Sequence, residues 1–155
     1  MLIRRMLVAM LIFLSASVLA VAQPVSFERS TLDVVTAAGA HHTFTVEVAA
    51  TPEQLAQGLM FRKALAPDAG MLFNFGRPQA VAMWMKNTLL PLDMLFINGG
   101  GQVVAIVQYT VPGSLEPLGP GQDVLAVLEV NAGTAKRLGL HAGDRVEHPL
   151  FVTGR

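Results

Sequence analysis

No cysteine occurs among the 155 residues, which excludes disulfides, a thiol nucleophile and thiolate metal ligation together. Charge is sparse, at 14% of residues, and 11 basic residues balance 11 acidic ones, with no block of one sign. Nucleic-acid binding relies on clustered Lys and Arg, so no nucleic-acid partner is expected. Low-complexity tracts and internal repeats are also missing. Of the four histidines, His41, His42, His141 and His148, none stands in an H-E-x-x-H spacing, and Ser26, Ser30 and Ser114 lack a G-x-S-x-G context. Neither a resident metal nor a cofactor is expected.

One long apolar run exists, and it lies at the N-terminus. Arg4 and Arg5 precede the unbroken apolar stretch Met6 to Leu14, and Ala20-Val21-Ala22 has the A-x-A form of a cleavage site, the pattern of an export signal. An uncleaved anchor is the alternative, since Met6 to Ala22 is near the lower limit of a membrane span. Cleavage after Ala22 is the reading adopted, giving residues 1–22 as signal peptide and 23–155 as one domain, periplasmic or secreted, with no stable membrane insertion. Losing Arg4 and Arg5 leaves 9 basic residues against 11 acidic ones, a net charge of −2.

The full chain is 52% hydrophobic, enough for one buried core. In Thr43 to Ala49, Phe44, Val46 and Val48 alternate with polar residues. This period of two predicts a half-buried strand, which pairs with Leu32 to Thr36 across Ala37-Ala38-Gly39-Ala40. Thr51-Pro52-Glu53-Gln54 carries a capping box with Pro in the first helical position and predicts a short helix ending near Gly58. Further strands are expected at Met71 to Phe75, Ala80 to Asn87, Met94 to Ile97, Gln102 to Tyr109, Asp123 to Val130 and Arg145 to His148. Gly76-Arg77-Pro78 and Asn98-Gly99-Gly100-Gly101 should be turns. Thr134 to Leu138 reads as a helical turn closed by Gly139, and Thr110 to Gly121, rich in Pro and Gly, as a long exposed loop. Alternating βα units are missing, so the expected fold is mostly β with a minor α component, a small antiparallel barrel or sandwich with two short helices.

The stretch AVAMWMKNTLLPLDMLFI, Ala80 to Ile97, embeds the only Trp, a Lys and an Asp in an apolar run. As a strand it puts Ala82, Trp84 and Lys86 on one face and Val81, Met83 and Met85 on the other. A flat aromatic beside an ammonium resembles a pocket floor for a polar or anionic ligand, with Asn87 and Thr88 at its rim. The competing view makes Trp84 a core anchor and pairs Lys86 with Asp93 across the bend.

The elements FTVEVA (Phe44 to Ala49), TPEQLAQGLMFR (Thr51 to Arg62), GMLFNF (Gly70 to Phe75), MWMKNTLLPLDMLFI (Met83 to Ile97) and VLEVNAGTAKRLGLHAGDRV (Val127 to Val146) occur in that order with tight spacing. Together they resemble the domain of unknown function 192 family. The resemblance implies a small, mostly β, frequently exported domain with no established biochemical activity. Matching positions include Gly58, Gly70, Gly133, Gly139 and Asp144, which suit turns and element ends, and Leu59, Met60, Met71 and Phe73, which suit a core. Arg62, Trp84, Lys86, Asn87, Thr88, Asp93 and Glu129 are harder to assign to packing. Many members carry cysteine in the segment that matches the Pro-rich loop. This chain has Val111-Pro112-Gly113-Ser114 there, so no thiol role carries over.

The leading expectation is an uncharacterised exported protein, leaning away from enzyme activity: a non-catalytic binding or accessory module for a small anionic or sugar-like ligand. Its expected ligand-binding residues are Trp84, Lys86, Asn87, Thr88, Asp93 and Arg62. Two alternatives stand beside it. One is Cu(I) handling through Met83 and Met85, because thioethers are the soft ligands left in a cysteine-free chain. The other is a hydrolase using Asp93 and Glu129, which requires the fold to bring the two carboxyl groups close together.

Overall fold

The computed structural model describes residues 24–151, and the expected signal peptide lies outside them. Alternation in the first strands does what period two predicts: β1 (Glu28–Val35) and β2 (His41–Ala49) form an antiparallel hairpin with Leu32 opposite Phe44. The chain then enters α1 (Pro52–Gln57), where the Thr51 hydroxyl accepts from the Gln54 amide and the Gln54 side chain returns to the Thr51 amide. Such a cap stabilises a helix end by about 1 kcal/mol. Helix α1 is a crossover, so β3 (Ala69–Ala80) runs parallel to β2. The sheet is therefore mixed, with one β-α-β unit that the sequence reading had not placed. A parallel pair needs a connection of a dozen or so residues, and the segment from 50 to 68 supplies it.

Strands β4 (Leu92–Ile97), β5 (Val103–Val107), β6 (Asp123–Asn131) and β7 (Arg145–Glu147) complete a seven-stranded sheet in the order β5-β4-β6-β3-β2-β1-β7. All other strand pairs are antiparallel. The two edges nearly meet, because a bridge joins Gln102 to Arg145 and Val103 donates to the Asp144 carbonyl at 2.8 Å. This barrel-like closure leaves little unpaired edge. The five-residue helix α2 (Thr134–Leu138), closed by Gly139 in the left-handed region, and a 3-10 turn at Pro149–Phe151 are the remaining elements.

Every strand contributes to an inner core that includes Leu32, Phe44, Leu72, Leu95, Val103, Leu128 and Val146. The outer face of β3, β4 and β6 is also apolar, with Met71, Phe73, Met94, Phe96 and Val127 buried under a second layer. That layer consists of α1 and its continuation through Leu59, together with Met85 and its flanking segment.

Two expectations around residue 80 require correction. Gly76-Arg77-Pro78 is not a turn between strands; it lies in a bulge within β3, where pairing jumps from Asn74 opposite Ala126 to Gln79 opposite Val124. Nor is Ala80 to Asn87 a strand of the sheet. Beyond Ala80 the chain leaves the ladder to cover the outer face, held by a single bridge between Met83 and Leu118. The sheet already has β6 and β2 beside β3, so a second strand there has no free edge to join. The inside–outside alternation nevertheless survives: Met85 is buried while Ala82, Trp84 and Lys86 are exposed.

Candidate functional site

The covering segment is fastened by backbone bonds rather than by side-chain pairs. Met83 and Leu118 exchange two hydrogen bonds at 2.7 and 2.8 Å, Met85 donates to the Ser114 carbonyl, and Gly113 donates to Met85 and Thr88 carbonyls. The Pro-rich loop is thus the clamp that holds Trp84 in place. Trp84 remains 51% exposed, with the Lys86 ammonium 5.2 Å from its ring centroid, a cation–π arrangement. Asn87 adopts φ 53° and its carbonyl accepts from Phe61, itself at φ 63°. Two non-glycine residues in the left-handed region are held against each other at this rim.

Thr88 is buried and donates to the Lys86 carbonyl at 3.2 Å. Lys86, Asn87, Thr88 and Leu89 form one wall of an open groove of about 570 Å³, and Pro112, Gly113 and Leu115 form the other. Four of the expected residues, Trp84, Lys86, Asn87 and Thr88, therefore do come together. The other two do not join them.

Asp93 is fully buried and turns the other way. In the β4–β6 register it stands opposite Val130, on the inner face of the sheet. Its Oδ1 accepts from the Tyr109 amide at 3.0 Å and its Oδ2 from the Ala135 amide at 2.9 Å. The second bond replaces the side-chain cap that Gly133 cannot give α2. No ion pair to Lys86 forms, because the two side chains belong to different layers. Asp144 does similar work near the barrel seam, accepting from Ala37 and His141 amides.

Arg62 bonds Glu47 at 2.7 Å and stacks 6.0 Å from the Phe27 ring. It lines a separate recess of about 320 Å³ with Arg29, Leu65 and Asp68.

The residue the sequence reading left off its site is Glu129. Across the outer face, register places Glu47, Met71, Glu129 and Met94 in one row on β2, β3, β6 and β4. Glu129 thus emerges between two methionines, 4% exposed, and makes no hydrogen bond or ion pair among the described residues. It faces a narrow pocket of about 60 Å³ walled by Leu55, Leu59, Met60, Phe73 and Met83, with Trp84 and Thr88 at the side. Burial pushes its carboxyl up to about 8 from an ordinary 4.5. Gly58 permits this shape, since a Cβ there would stand 2.9 Å from Phe73 Cζ and its φ of 48° suits glycine. The missed signal was legible: one charged residue in the apolar run VLAVLEV, the same oddity that marked Trp84 and Lys86.

The five methionines among the described residues all gather on this side. Met71, Met85 and Met94 are sealed in the outer core, whereas Met60 and Met83 line the pocket. Asp93 and Glu129 occupy opposite faces, so the register does not assemble them into a carboxylate pair. Among the histidines, His148 lies between Ser30 Oγ at 2.9 Å and the Leu150 amide at 3.1 Å, and burial lowers its pKa. Ligand atoms of Asp33, His41 and Glu147 lie within 4.8 Å of one another, with Asp33 accepting from Thr43 and Glu147 paired to Arg145.

A protein from Sinorhizobium meliloti 1021, described as a candidate transcription regulator, has a solved structure similar to this chain, with 50% identity and a TM-score of 0.79. The match covers 81% of this chain and 97% of that one. A protein of unknown function from Novosphingobium aromaticivorans DSM 12444 is 39% identical with a TM-score of 0.76, covering 81% and 90% of the respective chains. No curated protein matches the sequence. Residues 33–148 match the family model described as "Uncharacterized ACR". The chain belongs to this family, the domain of unknown function 192.

Proposed function

We propose that this protein is an exported, non-catalytic binding module that seats the polar head of a small ligand on Glu129 and lays the remainder across Trp84 toward Lys86. The observation that carries this reading is the Glu129 carboxyl, buried, without a partner and open to a pocket. Its oxygens are not sealed from the pocket, yet burial leaves the carboxyl poorly hydrated, and a ligand group that bonds to it makes up part of that loss. Trp84 supplies a flat apolar surface at the mouth, and Lys86 stands on the groove side, where an anionic portion of a ligand would lie. A binding role is favoured over chemistry because no second titratable side chain lines the pocket, and general acid–base catalysis normally pairs two such groups.

Trp84, the only tryptophan, reports on the test. Its emission should change saturably when small alcohols, sugars, carboxylates or amines are titrated, for at least one of these classes, and Glu129→Gln should weaken the change at least tenfold. Unchanged emission with every class defeats the reading.

A second reading rests on Met60 and Met83 lining the same pocket. Thioethers are the soft donors that suit Cu(I), so Cu(I) handling would use this pair rather than Met83 with the sealed Met85. Competition against a Cu(I) chelator, lost in Met60→Leu/Met83→Leu, would support it, and a wild type that takes no metal from the chelator would end it.

A further inference from the structure

We propose that the head group received by Glu129 is a primary ammonium carried on a slender apolar stem. This deepens the pocket reading above and rests on it.

The lining of the pocket limits which head groups it can satisfy. Its walls are mainly apolar, the neutral polar side chains of Gln57, Thr88 and Trp84 also line it, and Glu129 is the sole ionisable group there. Neither Lys86 nor Arg62 lines it: the Lys86 ammonium stands 5.2 Å from the Trp84 ring centroid, and Arg62 is bound to Glu47. An anionic head would find no cation there. A hydroxyl would bond to the neutral carboxyl but would give no countercharge once that group ionises toward pH 8. An ammonium supplies that countercharge, and its alkyl stem is matched by the apolar walls and by the aromatic groups of Phe73 and Trp84. With a volume of about 60 Å³, the pocket suits an unbranched chain better than a ring. A guanidinium head is planar and broader, which favours the compact ammonium.

The charges around Glu129 leave its role open to a ligand. On the elements packed against it, Glu53 of α1 is exposed, Glu47 is paired with Arg62, and Asp93 faces the opposite side of the sheet. Arg77 and Asp123 lie at exposed ends of β3 and β6. None of these supplies a positive charge to Glu129. Binding is then an exchange of cations: the neutral carboxyl releases its proton to solvent, and the carboxylate left behind pairs with the incoming ammonium, which keeps all three of its protons. The pKa of about 8 supports this, because the exchange becomes easier as pH approaches that value. The same chemistry is presented by a free alkylamine and by a lysine side chain. The adjoining groove, with Leu89, Pro112 and Leu115 on its walls, gives room for the rest of a polypeptide.

The test follows Trp84 emission while n-butylamine is titrated into the full chain at pH 6 and pH 8, with n-butanol as the uncharged isostere. Butylamine should bind roughly 50-fold more tightly at pH 8 than at pH 6, as expected for a competing proton with a pKa near 8. n-Butanol should bind at least tenfold more weakly than butylamine at pH 8. Calorimetry at pH 6 in buffers of different ionisation enthalpy should find about one proton released per amine bound, a wild-type measurement that stands even if Glu129→Gln does not fold. Nα-acetyl-lysine methylamide binding tenfold more tightly than butylamine identifies a polypeptide lysine as the source, and equal binding identifies a free amine. Saturable binding of butanol but not butylamine overturns the ammonium and leaves the pocket reading standing. Silence from both probes, and from the wider panel, overturns both.

Discussion

Asp93 and Glu129 stand on neighbouring strands, both buried, and the two faces of the sheet treat them oppositely. On the inner face Asp93 spends both carboxylate oxygens on backbone amides, joining β4 to Tyr109, two residues beyond β5, and to the start of α2. Across the sheet, Glu129 reaches a pocket and bonds to nothing among the described residues. A buried acid can therefore be an internal fastener or an unfilled valence. The hydrogen-bond partners decide which, because depth is nearly the same for both.

The largest effect that sharpens this contrast is a pH dependence. Glu129 has a folded-state pKa raised from 4.5 to about 8. For an acid raised in this way, stability is fully present below about 4.5, falls as the unfolded state ionises first, and is lost once pH passes about 8. With about 1.4 kcal/mol for each unit, the total is on the order of 5 kcal/mol. Urea unfolding of wild type and Glu129→Gln between pH 4.5 and 9 should give curves that diverge by a few kcal/mol, the variant lacking this contribution to the slope. Parallel curves would remove Glu129 from its special standing.

Asp93→Ala should come next, at about 3 kcal/mol of lost stability, because it strands the buried Ala135 amide and the part-buried Tyr109 amide. Asp93→Asn keeps one acceptor and should lose about half as much. Both variants, where folded, should retain any ligand response of Trp84, as measured by its emission. A folded Asp93→Asn that binds normally is the outcome the contrast requires; one that loses ligand and keeps stability would make Asp93 a site residue after all.

Much of this architecture was legible because it rests on local chemistry. The Thr51 capping box, the Asn98 to Gly101 turn and the alternation in Thr43 to Ala49 each act through neighbours in the chain, so spacing reveals them. The bulge in β3 was not legible, since Gly76 and Pro78 are equally at home in a turn and only the position of β6 decides between them. The parallel β2–β3 pair had the same difficulty, because α1 is too short to announce a crossover. At the site, Trp84, Lys86, Asn87 and Thr88 were found together because they are contiguous. Asp93 was drawn in by sequence proximity, although a change of face separates it from them. Glu129 was passed over as a ligand residue because its neighbours in space come from two distant parts of the chain, Leu55 and Met60 from one and Met83 from the other.

The smallest expected effect comes from a third carboxylate, and it tests whether pairing or position makes Glu129 different. Glu47 occupies the same outer row, one strand beyond Met71, but Arg62 reaches it and both side chains keep contact with solvent. Pairs of this kind contribute less than about 1 kcal/mol. A double-mutant cycle on Arg62→Ala and Glu47→Ala, read by urea unfolding, should return a coupling in that range, and neither change should alter the response of Trp84 to ligand. If the row itself conferred function, Glu47 released from Arg62 would begin to bind amines as Glu129 is proposed to do. Its recess is wide and open, at about 320 Å³, so a carboxylate freed there is met by water rather than by apolar walls. Arg62→Ala should therefore create no new amine site, because an exposed carboxylate already has its partners in solvent and gains little by exchanging them for an ammonium.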